Sequence, residues 1–576
     1  MTRSTERDGW SNSFETFLLT RFGPLWRLAQ AIPPLKKFLN RVLIKRAILK
    51  TNTRPYQFSL KSSYTSWDSL TDRKYTGRHL PPAAAGYTEK LPAIEDVAEL
   101  FRRTKETYRI SKKSTVLFTN FAQWFTDGFL RTNREDSNQN TSNHEIDLCQ
   151  IYGLNPTETQ TLRELQGGRL KTSKLATGVY PPLFFDDSLQ EKDEFKHLAF
   201  KPVVPKGLPP ERKKYIFVGG VERINVTVGY AMLNTLFLRE HNRVCGELQK
   251  AYPTWDDERL FQTARNVMIV VLLRIVIEDY INHITPYHFK FSAEPWGFEH
   301  ESWYRTNWMT VEFNLLYRWH SMVPDAILVR DKFEPVTNGL FNNALLVENG
   351  LGVMFQSASR QKASEVGLRN TTNHLVREAE LKAIELGRKA NLRTYNDYRE
   401  LFRFPRVTDW SQITGDEEVQ EKLKNLYEEV DNLEFFVGLF AEDVRENSAL
   451  SPLIGRMVGV DAFSQALTNP LLSLNSFKPE TFSDVGWKII QQTRTLQDVL
   501  KRNLGNDDFD GEIRFTQRGD EPDEPRDLGS DLGPTTRPDL GPTTRPPGFG
   551  GATESADGLE SASTSAGFDE AELYKK

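Results

Sequence analysis

Nine histidines hold most of the acid–base and ligating capacity of this chain near neutral pH: His79, His144, His197, His241, His283, His288, His300, His320 and His374. His283 and His288 in INHITPYHF stand five apart on either side of Pro286. That misses the i, i+4 pairing of a helical metalloprotease site and reads as structural. His320 lies in EFNLLYRWHSMVPD, three residues after Tyr317. On a helix this spacing puts a phenol and an imidazole on one face with Cβ atoms roughly 5–6 Å apart. The same spacing also describes a packed core pair, so Tyr-x-x-His alone leaves both readings open. Cys149 and Cys245 have no partner at zinc-finger spacing and cannot form the disulfide framework of a secreted multi-domain protein. They point to a reducing compartment. Neither GxGxxG nor GxxxxGK[ST] occurs, which removes the common nucleotide-binding loops.

The elements that must position these groups are helical in pattern. Ala231–Lys250, Asp256–Tyr280 and Asn370–Asn391 carry apolar residues at helical spacing, while Pro and Gly mark loops at Leu80–Gly86, Val203–Pro210 and Gly219–Gly220. The fold class expected is all-α. The apolar run NVMIVVLLRIVIEDY is interrupted by Arg274 and followed by Glu278 and Asp279. It reads as a buried core helix and not as a membrane span.

Lys and Arg total 74 against 78 Asp and Glu, a formal net charge of −4 over 576 residues, so composition implies no nucleic-acid partner. The average hides two segments of opposite sign. Ser13–Lys50 contains one acid, Glu15, and eight bases, among them Arg41, Lys45, Arg46 and Lys50. Phe14, Phe17, Phe22, Trp26, Leu35 and Phe38 lie between them at spacings of three and four, and Gly23-Pro24 and Pro33-Pro34 cut the stretch into short helices. Such helices suit one leaflet of a membrane, with Trp26 at the interface, although an ordinary surface helix pair has the same pattern. The start of the chain lacks the apolar core of a secretory signal. The expected location is cytoplasmic and membrane-associated, without secretion.

At the other end, 505–576 holds 17 acidic and 7 basic residues with 11 Gly and 7 Pro, including the repeat DLGPTTRP at 531–538 and 539–546. That composition predicts a disordered acidic tail. The division expected is therefore an extension over 1–12, membrane-binding helices over 13–50, a catalytic domain over 51–504 and the tail over 505–576.

Several segments together carry a resemblance. EFNLLYRWHSMVPD, LFLREHNRVCGEL, DDERLFQTARNVMIVVLLRIVIEDYINHITPYHF, FAQWFTDGFLRT, DLCQIYGLNPTETQTLRELQGGRLK and NPLLSLNSFKPETFSDVGWKII resemble, in order and spacing, the prostaglandin H synthase (cyclooxygenase) family of the animal haem peroxidase superfamily. The likeness extends from about Phe14 to Asn503. It implies a haem b cofactor, with His320 as proximal iron ligand and Tyr317 as the residue oxidised to a radical. That radical would take a bis-allylic hydrogen from a polyunsaturated fatty acid, after which O2 adds. Arg46 matches the family arginine that pairs with the substrate carboxylate, although the adjacent Lys45 leaves room for a shift of one. Tyr287 matches the tyrosine beside that arginine, and Tyr280, Ile281, Phe313 and Trp319 match positions lining the substrate channel. A homodimer is implied by the resemblance alone.

Three departures modify these expectations. The distal segment keeps Gln123 but has Asp127 where the family has its acid–base histidine. Cleavage of a peroxide O–O bond needs a group that accepts a proton and returns it, so a weak peroxidase activity is expected. The serine acylated in animal enzymes falls on Ala462 without gaps, or on Ser464 with a two-residue gap; Ala462 is the preferred match, which implies insensitivity to acylation. The chain also lacks the cysteine-rich EGF-like module of animal members, an organisation suited to an algal or bacterial relative. Three activities remain open. The first is a cyclooxygenase making an endoperoxide hydroperoxide from arachidonate. The second is a haem dioxygenase making linear hydroperoxides from linoleate or oleate. The third is a non-catalytic membrane-associated haem-binding protein.

Overall fold

A computed structural model describes residues 8–51, 56–133, 135–504 and 511–522. Helices account for 49% of the structure, with little strand, so the all-α expectation holds. The helices that matter for the site are, in chain order, α1 (Trp10–Thr20), α2 (Gly23–Ala31), α3 (Pro33–Ile48), α4 (Val116–Thr126), α5 (Val228–Ala251), α6 (Asp257–Ile275), α7 (Val311–Leu316), α8 (Leu381–Lys389), α9 (Pro452–Leu467) and α10 (Pro479–Gln492). Strands are confined to two-stranded antiparallel ribbons. In one, Ala326–Val329 pairs with Lys332–Pro335 just after His320.

The core is built around α5, which packs on α6 and α4, while α6 packs on α10. Local chemistry starts these helices where they are needed. The Thr227 hydroxyl accepts from the Tyr230 backbone N–H at the start of α5, and Asp256 does the same for Arg259 at the start of α6. The apolar face of α6 continues through a π turn, Val276–Tyr280, to Ile284. This helix is long and apolar enough to cross a membrane, yet 78% of its most apolar window is buried inside the protein, in line with the core-helix reading.

Proline sets the amino-terminal breaks as the sequence predicts, with α2 starting at Gly23-Pro24 and α3 at Pro33-Pro34. Ten of the seventeen exposed large apolar side chains among the described residues lie between Phe14 and Val42. Trp26 is not among them. Its indole N–H donates to the Leu18 carbonyl at 2.8 Å and its ring meets Phe289 edge-on, so it faces the body and not a membrane interface. Residues 8–12, expected as an extension, are tied in as well. Asp8 pairs with Arg445 at 3.0 Å, and the Asn12 amide donates to the Arg403 carbonyl at 2.8 Å.

The expected disordered tail needs a correction over 511–522, while both repeat copies lie outside the described residues. Thr115 N–H donates to the Phe515 carbonyl, and Gln517 N–H donates to that of Lys113, which stitches this strap to the body. Ile513 and Phe515 are buried, and the Phe515 ring packs on Phe121 and Tyr280. His283 joins Ser114 at 2.9 Å to Thr516 at 2.8 Å; burial holds its imidazole well below the usual pKa and neutral, the structural role expected for it. The three glycosylation-type asparagines, Asn140, Asn225 and Asn370, are buried with their amides hydrogen-bonded to backbone carbonyls. They are therefore not acceptors in the folded protein. Removing the Phe515 ring should cost about 3 kcal/mol, the usual penalty for a buried Phe→Ala change. Phe515→Ala is expected to lower the unfolding midpoint clearly, and an unchanged midpoint would mean that the strap does not pack.

Candidate active site

Thr310 caps α7 by accepting from the Phe313 N–H at 3.1 Å, and the helix stops six residues later at Leu316. Tyr317 leaves the helix with φ −94° and ψ 12°, Trp319 follows at φ −82° and ψ 45°, and His320 opens a separate 3-10 turn. The pair is therefore not on one continuous helical face, as the spacing alone suggested. The break turns the phenol and the imidazole toward different surroundings.

The Tyr317 ring stacks on Trp319 at 4.6 Å and meets Phe313 edge-on at 4.8 Å. Its hydroxyl is buried and faces the buried hydroxyl of Tyr280, the phenolic neighbour it interacts with. The two phenols influence each other electrostatically, and burial pushes both well above the ordinary phenol pKa. Tyr280 stands at the end of the π turn, stacked on Phe118, which in turn stacks on Trp319. Ile281 follows it and is buried. Sequence-expected Tyr280, Ile281, Phe313, Tyr317 and Trp319 are thus brought into one apolar, aromatic region.

His320 points its Nδ1 at Glu380 Oε2, 3.3 Å away, with 17% of the imidazole side chain exposed. Gln123 on α4 is exposed while its neighbours 121–122 and 124–127 are buried, and its carbonyl oxygen accepts from the Thr227 hydroxyl at 3.2 Å. An exposed amide inside an otherwise buried helix and a partly exposed imidazole fronted by a carboxylate fit a cofactor cleft. Were His320 to hold a haem iron, Nε2 would be the ligating nitrogen, because Nδ1 is turned to Glu380.

Asp127 caps the end of α4 and is buried. Its Oδ1 lies 2.9 Å from Arg223 Nη1, and its Oδ2 accepts from the Tyr230 hydroxyl at 2.9 Å and lies 3.6 Å from Arg131. Arg131 is itself paired with buried Glu222 at 2.6 Å. The carboxyl is thus surrounded by donors and acts as an acceptor. Arg318, bonded to Asn314, is pushed down to about 10 by burial and by Arg223, against the pull of Glu380 and Asp127.

Arg46 joins the cluster near Tyr287 only through Glu15. It is about half exposed and pairs with Glu15 at 2.9 Å, while Lys45 pairs with Glu301 at 2.8 Å. The guanidiniums acting on the Tyr287 phenol, which burial pushes up, are Arg445 and Arg456. Arg456 bonds the Phe402 carbonyl and Asn12 Oδ1, each at 3.0 Å. Buried Lys50 reaches Glu15 at 2.6 Å and the same Asn12 oxygen at 3.4 Å. Burial lowers Lys50, whereas Lys50 and Arg46 hold Glu15 below its usual range despite the cost of burial. On α9, Ala462 is buried, and the Ser464 hydroxyl donates to the Val460 and Asp461 carbonyls at 2.8 and 2.9 Å. Ser464 is fully buried and committed to its own helix, which leaves no poised nucleophile there.

Sequence reasoning missed Glu380, Arg223, Tyr230, Arg456 and Asp461. The Asp461 carboxylate accepts from the Tyr56 hydroxyl at 2.6 Å and lies 2.9 Å from His79 Nε2. A carboxylate beside Ala462 in an apolar helix was a readable signal for Asp461; the others had none.

Comparison with known proteins agrees with this geometry. The family model described as animal haem peroxidase matches residues 102–513. The chain is 30% identical over 500 residues to prostaglandin G/H synthase 2 of Equus caballus, covering 85% of this chain and 80% of that protein. It is 31% identical over 507 residues to prostaglandin G/H synthase 1 of Mus musculus, covering 86% and 81%. Among solved structures, the fatty acid alpha-dioxygenase of Oryza sativa superposes with a TM-score of 0.62 at 16% identity, covering 85% of this chain and 95% of that one. Peroxidase A of Dictyostelium discoideum gives 0.61 at 17% identity, covering 77% and 93%. At those identities the structures speak for the fold alone. The chain belongs to the animal haem peroxidase family.

Proposed function

We propose that the protein is a haem-dependent fatty-acid oxygenase of cyclooxygenase type, acting on arachidonate with O2. The observation that carries this reading is the buried Tyr317 phenol, set among Trp319 and Phe313, beside the Tyr280 phenol and three residues before His320. Burial disfavours the phenolate, so Tyr317 reacts by losing an electron and a proton together. When bound, haem held by His320 supplies the one-electron oxidant for that loss. The Tyr317 phenoxyl then takes a hydrogen atom from a bis-allylic carbon and becomes a phenol again; O2 adds to the substrate radical, and the resulting peroxyl radical takes a hydrogen atom back from the Tyr317 phenol, which gives the hydroperoxide and restores the phenoxyl. Phe313, Trp319 and Tyr280 hold the acyl chain and exclude water. Relatives named as prostaglandin G/H synthases favour ring closure, and the fatty acid alpha-dioxygenases of the same fold support the second reading, a linear hydroperoxide.

Asp127 accepts from Tyr230 and pairs with arginines, so it is poorly set to return a proton to a leaving oxygen. Oxygen uptake by the haem-reconstituted protein should therefore need added hydroperoxide, and products examined before reduction should still carry their hydroperoxide. Tyr317→Phe is expected to abolish uptake while binding haem normally, and Asp127→His to raise peroxidase co-substrate oxidation by about tenfold or more. A bicyclic product from arachidonate supports ring closure, and a linear monohydroperoxide moves the assignment to the dioxygenases. Full uptake by Tyr317→Phe rejects the mechanism.

The substrate carboxylate meets the cations around Tyr287, and Glu15 occupies part of the same cluster through Arg46 and Lys50. Losing one charged hydrogen bond of roughly 1.5–3 kcal/mol is worth tenfold or more in KM. Arg456→Gln should raise KM for the free acid by that factor and leave the methyl ester unaffected, whereas Arg46→Gln should do little. The reverse ranking would return the anchor to Arg46.

The exposed apolar residues of α1–α3 support a reading in which the carboxylate-binding cluster opens toward one leaflet of a membrane. Co-sedimentation with anionic liposomes should be lost on changing Phe14, Leu25 and Phe38 to Ser, with haem binding retained. Sedimentation unaffected by the triple change would assign these helices to another contact.

A further inference from the structure

A buried carboxylate, that of Glu380, faces His320. Glu380 is 1% exposed, and its Oε2 lies 3.3 Å from His320 Nδ1. Its other oxygen, Oε1, accepts from the Thr371 hydroxyl at 2.8 Å. Oε2 makes no bond of hydrogen-bond geometry among the described residues and faces His320 Nδ1 at ion-pair distance. The backbone adds a second sign of placement. Glu380 ends a π turn, Val376–Glu380, inserted directly before α8. Such turns add one residue to a helix, re-aim the side chains after it and concentrate at functional sites. The other π turn among the described residues ends on Tyr280, beside the phenol of Tyr317.

We infer that Glu380 is a positioning residue which accepts the Nδ1 proton of His320 and so sets the redox poise of bound haem iron. The inference rests on the reading of His320 as the iron ligand. An imidazole that donates Nδ1–H to a carboxylate is a stronger donor at Nε2 and is held in one tautomer and one orientation. A stronger donor favours ferric over ferrous iron and lowers the midpoint potential, since ligand identity and its hydrogen bonds are the levers the protein has on the metal. Arg318, whose charge acts on both Glu380 and Asp127, is the cation facing this pair. The arrangement also complements the distal side. With Asp127 unsuited to return a proton, a His320 made a stronger donor by Glu380 would be the group of this chain that assists peroxide chemistry at a bound haem. Thr371 fixes the carboxylate, so the donor strength depends on a three-membered chain: Thr371, Glu380, His320.

The test uses the full-length haem-reconstituted protein, with the iron–histidine stretch of the ferrous form read by resonance Raman and the midpoint potential read by spectroelectrochemistry. Glu380→Gln is expected to lower the stretching frequency and to reduce the preference for ferric over ferrous iron about tenfold, a rise of about 59 mV for one electron. Thr371→Val, which keeps the carboxylate but loosens it, should shift both quantities the same way by less. If Glu380→Gln does not bind haem, Glu380→Asp and Thr371→Val carry the same comparison. Unchanged frequency and potential in these variants with haem bound would overturn the inference. His320→Ala separates the two claims. Loss of the iron–histidine band in that variant supports the ligand assignment, whereas its persistence overturns that assignment and the role of Glu380 with it.

Discussion

The stop of α7 at Leu316 is the constraint from which the geometry of the site follows. Had the helix continued through His320, phenol and imidazole would have stacked on one face and competed for the same space. The turn after Tyr317 separates them while keeping the covalent path between them at three residues. Each then acquires its own environment. Tyr317 lies against Trp319 and Phe313 with its hydroxyl toward that of Tyr280, and His320 faces a carboxylate held by Thr371. One group is set among aromatic rings, and the other lies against a buried carboxylate. Such a division suits a reaction in which oxidising power is generated on one side and used on the other.

Charge is arranged around that division in two separate clusters. The distal one joins Asp127, Arg131, Arg223, Glu222 and Tyr230 into a closed network in which each acid has a guanidinium. Breaking such a buried pair typically costs about 3–5 kcal/mol, so the network resists change as a unit. The cluster at the mouth is open by comparison. Arg46, Lys50, Arg445 and Arg456 face the acids Glu15 and Asp8, both supplied by the first residues of the described chain. The helix that shows apolar residues to the outside therefore also brings acids to the cations beneath it. A ligand carboxylate arriving there competes with Glu15.

Much of this was legible in the sequence, for physical reasons. Helical periodicity in α5 and α6 reports burial on one face, and proline at residues 24 and 33–34 reports breaks, so fold class and amino-terminal organisation were readable. The ordered motifs around Gln123, Tyr287, Tyr317 and His320 located the site. What could not be read were pairings across long separations. Glu380 lies 60 residues after His320, and nothing in VREAELKAI indicates that one glutamate turns inward through an inserted π turn. Arg445 and Arg456 act on Tyr287 from far along the chain, and Arg46 is engaged by Glu15 on α1, pairings that local sequence does not show. The strap was hidden by averaging. Over 505–576 the composition is that of a disordered segment, yet Ile513 and Phe515 sit two apart, as an extended chain needs to bury one face.

The central claim is that Tyr317 carries the radical that acts on substrate. The most direct measurement is a freeze-quenched electron paramagnetic resonance spectrum of the haem-reconstituted protein mixed with a fatty-acid hydroperoxide, using chain labelled with ring-deuterated tyrosine. The account predicts an organic radical signal that narrows on deuteration and is absent from Tyr317→Phe under the same conditions. A tyrosyl signal of equal yield in Tyr317→Phe, with fatty-acid oxygenation intact, would contradict it.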